Sequence, residues 1–401
     1  MRHSLGHTIE EAKEAAVQVL LHNLKGAYHG LPRTAGWGYP EPYTRDLMIS
    51  SLGILVTDNA QLVDGVRRVL EALAQHQTSR GLIPSLADNP NDLGASDTTP
   101  LFLIGLALYR QTTGDSNFLE EAAQKALTWM EYQSPDDRVM VGQLPTSDWR
   151  DEHWVLGYGL YVNALAYTYL RLYDRHEQAS ELRHLMNRFN VRMRNGKRCM
   201  HEGLAIAHQP YYALWAYKIY KNERFDLLGN SIAILSGITS PSRARRLVAW
   251  IEGSCDALKL DDQLAVDLPP CLFPYMQPED IDWRERYDRF GPAGDYHNGG
   301  VWPFICGFYV AALVAAGRQS LAERKLTALT RLVRPAREAP VAYGFNEWLR
   351  AQDGTPQGQD WQTWSAAMYL YAVACVERRE TPFFAPLRNG PLSVPNDLSS
   401  Q

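Results

Sequence analysis

The chain has 401 residues, 45% of them hydrophobic and 21% charged, with 40 Lys and Arg against 45 Asp and Glu. The net charge of −5 excludes the clustered basic excess of a nucleic-acid footprint, and neither charge nor polarity reaches the range of a disordered chain. The unusual counts are 11 Trp and 21 Tyr, spread along the whole length.

In chain order, Thr8 is placed to cap a first helix with Glu11 at the capping-box position, and Ile9, Ala12, Ala16, Val19 and Leu20 give its apolar stripe to about Lys25. A second helix covers 45–56. Asn59 opens the next, with Leu62, Val66, Val69, Leu70 and Leu73 inward. Helical periodicity continues over 98–113, 116–133, 154–172, 176–192, 209–220, 227–237, 241–254, 301–316, 319–333 and 362–377, about thirteen helices in all, while alternating strands are scarce. Short connections such as Thr57-Asp58 alternate with long ones at 33–44, 78–97, 135–153, 270–300 and 338–361, rich in Trp, Tyr, Asp and Gly. Long loops in a compact domain usually carry function. The pattern predicts an all-α fold: one domain over 1–380, built of helix pairs as an (α/α)6 barrel, and a Pro- and Ser-rich tail over 381–401. A helical solenoid would show a repeat of roughly 34 to 45 residues, and none is visible.

The five cysteines, Cys199, Cys255, Cys271, Cys306 and Cys375, form no C-x-x-C pair. A reduced, cytoplasmic setting is expected, without a secretory leader. Val301 to Gly317 is the longest uncharged stretch, and with Pro303 near its start it reads as a buried helix rather than a membrane span.

Acidic residues stand beside aromatics at few places in the long loops: Asp46 after Tyr43-Thr44-Arg45, Asp97, Asp148 and Asp151 around Trp149, Asp295 before Tyr296-His297, and Glu347 between Phe345 and Trp348. Any one could be a cap or an ion pair; Asp97 before Thr98-Thr99-Pro100 suits a cap, and Arg45 could hold Asp46 in a bidentate pair. Together they suit glycoside hydrolysis, which needs one protonated and one ionised carboxyl, about 6.5–9.5 Å apart when the configuration inverts. Trp and Tyr supply flat apolar walls with polar tips for a sugar ring. Phosphate loops, metal-ligand pairs on helices and nucleophile elbows do not occur, so no metal or cofactor is expected.

Tyr296-His297-Asn298-Gly299-Gly300-Val301-Trp302-Pro303 resembles the Tyr-His-Asn-Gly-Gly-x-Trp-Pro signature of neutral/alkaline invertases, glycoside hydrolase family 100. Thr44-Arg45-Asp46, Asp97 with Thr113-Gly114-Asp115, Gly157-Tyr158, Phe225 to Asn230 with Ala233-Ile234, Phe345-Asn346-Glu347-Trp348 and Gln362-Thr363-Trp364 resemble further motifs of that family in the same order. The resemblance implies an (α/α)6 barrel and an inverting, metal-free mechanism. It puts the general base on Glu347. The general acid falls on Asp151, since Trp149-Arg150-Asp151 also resembles the acid motif of related debranching and glucosidase clans, with Asp148 as the fallback. Tyr43, Arg45, Asp46, Asp97, Asp148, Trp149, His297, Trp302, Gln362 and Trp364 are the expected pocket residues. Trp302 also suits core packing.

The family's Tyr-Pro-x-Glu-x-Gln stands here as Tyr158-Gly159-Leu160-Tyr161-Val162-Asn163, so a pocket Glu and Gln are replaced. Sucrose is the leading substrate. Alternatives are another small α-glycoside, as for mannosylglycerate or glucosylglycerate hydrolases of family 63 and amylo-α-1,6-glucosidase-like proteins. A sugar epimerase would need paired histidines, for which only His153 and His297 lie in the candidate loops, and a non-catalytic sugar-binding scaffold would not need separated carboxylates. The expected partner is a small sugar, not nucleic acid or membrane; homo-oligomerisation is compatible with the sequence.

Overall fold

The computed structural model describes residues 2–134, 139–187, 192–194, 197–199, 203–218 and 220–389. Its helices are α1 (Arg2–Asn23), α2 (Thr44–Ile54), α3 (Ala60–His76), α4 (Thr98–Thr113), α5 (Glu120–Glu131), α6 (Leu160–Leu172), α7 (His176–Asn187), α8 (Leu227–Ser236), α9 (Pro241–Leu260), α10 (Tyr287–Phe290), α11 (Pro303–Ala315), α12 (Gln319–Leu332), α13 (Thr363–Arg378) and α14 (Ala385–Asn389). The strands are β1 (Tyr158–Gly159), β2 (Arg192–Arg194), β3 (Lys197–Cys199), β4 (Ala213–Tyr217), β5 (Tyr220–Asp226), β6 (Leu272–Phe273), β7 (Trp348–Leu349) and β8 (Pro356–Gln357).

Six of these helices, α2, α4, α6, α8, α11 and α13, are buried on nearly every side. Their sequences are apolar all round, as a helix enclosed by others must be. Each packs on the next, and α13 returns to α2, so they close a ring. The helices between them in sequence are amphipathic and form the outer layer; α3, for example, buries only Leu62, Gly65, Val66, Val69, Leu70 and Leu73. This inner and outer arrangement is the (α/α)6 barrel that the loop pattern predicts. The first helix joins the last: α1 packs on α13, Asn23 donates to Thr363 Oγ1 at 2.9 Å, and Lys13 pairs with Glu377 at 3.0 Å.

Several expectations shift. Helix α1 begins at Arg2, so Thr8 lies inside it and not at its start; extending an existing helix costs far less than nucleating one. The segment 209–220, read as a helix, forms an antiparallel hairpin of β4 and β5, part of a four-stranded sheet ordered β1-β4-β5-β6. Ala213 to Ala216 are all buried, and a strand buried on both faces gives a continuous apolar run that periodicity cannot separate from a helix. Similarly, 154–159 precedes helix α6 and contributes β1. The C-terminal segment is packed beyond residue 380: Thr381, Phe384 and Leu387 are buried, and α14 lies against α6 and α8. Parts of the expected 135–153 loop, the end of the 176–192 helix and the tail after 389 fall outside the described residues. Cys255, Cys271, Cys306 and Cys375 are free buried thiols, and among the described residues no helix is long and apolar enough to cross a membrane.

Candidate active site

The N-terminal ends of the inner helices gather at one end of the ring, each fed by a long loop. Arg45, in the first turn of α2, reaches Asp97 at the N-cap of α4, with Nε 2.5 Å from Oδ2 and an NH group 3.1 Å from Oδ1. The Tyr161 hydroxyl of α6 faces the same Asp97. Trp302 and Trp364, at the starts of α11 and α13, lie with ring centroids 6.0 Å apart. Helix N-termini carry partial positive charge, so this end of the barrel favours anions. Carboxylates from four loops meet there.

Arg45 forks onto Asp97, not onto Asp46 as the sequence suggested, and Asp97 has no side-chain capping bond. Asp46 therefore stands buried in the first turn of α2 without an ion-pair fork. Burial, with Glu347 and Asp151 nearby, pushes its carboxyl up to about 8 against the pull of Arg45. Glu347 is buried, and its pKa is raised to about 7 by burial and by Asp151, opposed by hydrogen bonds from the Gln359 N–H (3.1 Å to Oε2) and the Gln362 side chain. Asp151 is open to solvent, yet desolvation is the largest contribution raising it to about 6, with Glu152, Asp148 and Asp97 adding to it and Arg45 opposing. Water reaches this carboxylate, but protein fills much of the space around it.

Asp148 has a different environment. It is buried, one oxygen accepts the Arg150 N–H at 2.7 Å and the other accepts the Gln143 amide at 2.9 Å. Both oxygens brace the turn that presents Asp151. Arg150 fixes this turn to the barrel: fully buried, it pairs with Asp226 at 2.5 Å, donates to the Cys271 carbonyl at 3.3 Å and lies 4.2 Å over the Trp149 ring. Asp226 in turn caps α8 through the N–H groups of Leu228 and Gly229, both at 3.1 Å.

Glu347 is set by a short hairpin. Its backbone N–H donates to the Gln359 carbonyl at 3.0 Å, and β7 pairs with β8 just beyond. Gly358 has φ +67°, and a Cβ there would stand 2.2 Å from Glu347 Oε2, so only glycine lets the return strand pass so close behind the carboxylate. Tyr296, Phe345 and Trp361 all adopt positive φ, at 41°, 42° and 57°. Bulky residues rarely do so, and such backbone strain gathers where a site dictates geometry.

The aromatic residues divide into two layers. Trp149, Trp302, Trp364 and His297 are buried and form a floor: His297 stacks on Tyr296 at 4.0 Å, Trp149 meets Trp302 edge-on at 5.4 Å, Trp302 donates its indole N–H to the Tyr296 carbonyl at 3.0 Å, and Trp364 stacks on Phe304 at 4.0 Å. All four are among the expected pocket residues, Trp302 with core packing as its leading reading, and their burial gives them a supporting place. The partly exposed layer comprises Tyr43, as expected, and Tyr39, Trp37, Tyr296 and Trp348, which the sequence reading did not single out for the pocket. Glu347, Asp151 and Asp46 all help push the Tyr39 hydroxyl up to about 12, which places it over the carboxylates. The signal for these residues was their position in the long loops at 33–44, 270–300 and 338–361. Asp295 is a plain ion pair, 3.1 Å from Arg350.

Chemically, the arrangement is a ring of helices with titratable carboxylates at one mouth and aromatic walls around them. Solved structures share this fold. GH63 mannosylglycerate hydrolase from Thermus thermophilus superposes with a TM-score of 0.64 at 16% identity, covering 90% of this chain and 99% of that one; a structure described as "Glycosidase Wild Type" gives 0.63 at 16% identity, over 94% and 99%. The sequence profile of alkaline and neutral invertases matches residues 161–378, more than half of the chain, and the protein belongs to that family. Cytosolic invertase 1 of Oryza sativa subsp. japonica is 30% identical over 159 residues, 38% of this chain and 26% of its own length. Probable alkaline/neutral invertase F of Arabidopsis thaliana is 29% identical over 153 residues, 37% and 28%. The matched stretch thus spans about a quarter of the length of these relatives. The profile match holds His297, Glu347 and Gln362, and begins ten residues after Asp151.

Proposed function

We propose that the protein hydrolyses a small α-glucoside in a single displacement with inversion, with Glu347 as general base, Asp151 as general acid and sucrose as the leading substrate. The observation that carries this reading is the nearness of Asp151 and Glu347, close enough for Asp151 to act on Glu347 and for both to act on Asp46 and Tyr39, with both carboxyls raised toward neutrality and differently bonded. Glu347 accepts two N–H donors, which favour its ionised form, suiting a group that takes a proton from water. Among the described residues none donates a hydrogen bond to Asp151, which opens to the cleft where a glycosidic oxygen would accept its proton. The raised values of about 6 and about 7 are in the opposite order to these roles, so only a fraction of the free protein carries its proton on Asp151 with Glu347 ionised. Bound substrate gives that proton its acceptor beside Asp151. Tyr43, Arg45, Asp46 and Asp97 are proposed to bind the sugar or order its binders, and Gln362 to hold Glu347.

The epimerase reading meets a specific obstacle. His153 and His297 do lie together, with ring centroids 5.6 Å apart, but both are buried, out of contact with solvent, and burial lowers both well below the usual imidazole range.

A panel of sucrose, isomaltose, maltose, trehalose, mannosylglycerate and glucosylglycerate, scored for free hexose, identifies the substrate. NMR of the first-formed anomer tests the stereochemistry, and a retained configuration rules out the single displacement. Glu347→Gln is expected to lower kcat by roughly 10²–10⁴-fold while sugar binding persists; unchanged turnover would remove Glu347 from the role. A cytoplasmic setting is part of this proposal, supported by the buried free thiols and the cytosolic rice relative; two Arabidopsis relatives are described as chloroplastic.

A further inference from the structure

Arg337 lies in the loop after α12. Its backbone N–H donates to Asp360 at 2.8 Å, and those of Glu338 and Ala339 donate to the same carboxylate at 2.9 Å each. Asp360 closely follows the return strand of the Glu347 hairpin, so this loop is fastened to the strand that backs Glu347. The Arg337 guanidinium then turns toward that strand and donates to the Gly358 carbonyl at 2.8 Å. Gly358 is the residue packed against the Glu347 carboxylate, and its neighbour Gln359 gives that carboxylate its backbone N–H. Arg337 is half-exposed, with a second NH group 3.3 Å from Glu338.

We propose that Arg337 is a positioning residue for Glu347, holding the Gly358–Gln359 backbone against the carboxylate and keeping that carboxylate charged. The inference rests on Glu347 acting as the base. The charged and titratable groups that act on Glu347 or feel its charge are Asp151, Asp46, Tyr39, Tyr296 and Arg337. Four of these five oppose a negative charge or would add one, and Arg337 alone among them is a cation. Arg45 and Arg150, cations of the same site, are committed to Asp97 and Asp226. A cation held one residue behind the base opposes its neutralisation without occupying space that the sugar needs.

The test is carbon-13 NMR titration of the full-length protein labelled at the glutamate carboxyls, with the Glu347 resonance identified by its loss in Glu347→Gln. Arg337→Gln keeps a donor for the Gly358 carbonyl and removes the charge. It is expected to raise the Glu347 midpoint by about 0.5–1 unit, a shift limited by solvent screening of a half-exposed group. Arg337→Lys is expected to leave the midpoint near that of the unmodified protein. The acid limb of kcat/KM for α-glucosyl fluoride, whose leaving group needs little acid help, is expected to move with the midpoint while KM changes little. Arg337→Met, which keeps the apolar stem, serves if thermal melts show the glutamine variant to be unstable. An unmoved midpoint in a folded uncharged variant overturns the proposal, as does a lysine variant that shifts as far as the glutamine one. Full turnover in Glu347→Gln would instead overturn the base assignment on which it rests, so the two failures are distinguishable.

Discussion

Asp148 and Asp151 are three residues apart, yet the structure gives them opposite surroundings. Asp148 spends both oxygens on the Arg150 N–H and the Gln143 amide, whereas Asp151 faces the cleft. Asp148→Asn is therefore expected to cost about 1–3 kcal/mol of stability by mismatching a buried hydrogen bond and to reduce kcat less than tenfold, while Asp151→Asn costs little stability and roughly 10²–10⁴-fold in kcat. Urea melts and initial rates on the two variants check this, and the reverse pattern would transfer the acid role to Asp148. The pH dependence follows from the same pair. With both carboxyls protonated the base is lost; with both ionised the acid is lost. In the proposed mechanism the active form has Asp151 protonated and Glu347 ionised, so kcat/KM is expected to be bell-shaped with its maximum between about 6 and about 7. A rate still rising above about pH 8 would contradict this assignment.

At the scale of elements, Asp151 and Glu347, the proposed acid and base, are held by unlike devices. The acid turn is bolted to the barrel by a buried ion pair from Arg150 to Asp226, which also caps α8. Removing one partner of a buried pair leaves a charge unpaired and costs about 3–5 kcal/mol. Asp226→Ala is expected to lose at least that much in denaturant melts, the lost cap adding about 1 kcal/mol. A loss below about 1 kcal/mol would mean that the pair does not anchor the turn. The base hangs on a two-stranded hairpin, where Gly358 allows close approach. The sheet β1-β4-β5-β6 leads through β1 into α6 and through β5 into α8, so the segment misread as a helix at 209–220 positions two inner helices. Its apolar run is explained by burial on both sides, a property of the assembled barrel that a local window does not contain.

At the scale of the whole molecule, the ring brings together residues from 45 to 362 that share no local sequence context. Its far side is closed by the C-terminal segment: Phe384 lines a cavity of about 20 Å³ with Met48, Leu101, Leu165 and Phe308. Phe384→Ala is expected to destabilise the protein by about 3–5 kcal/mol with KM unchanged, measured by urea unfolding and steady-state kinetics; a neutral effect would mean that this segment is dispensable to the barrel. The sequence by itself determined the helical class, the alternation of short and long loops and the carboxylate candidates, because helix periodicity, caps such as Asn59 and acidic residues in aromatic loops are local patterns. The order of aromatic layers was not local. Trp149 and Trp364 look like pocket walls in sequence, but the barrel buries them, as it does Trp302, and leaves Tyr39 and Trp348 more exposed. Likewise, only the tertiary structure chose Asp97 over Asp46 as the partner of Arg45 and separated Asp148 from Asp151, because burial, charge pairing and hydrogen-bond saturation depend on which helix ends meet at the mouth of the ring.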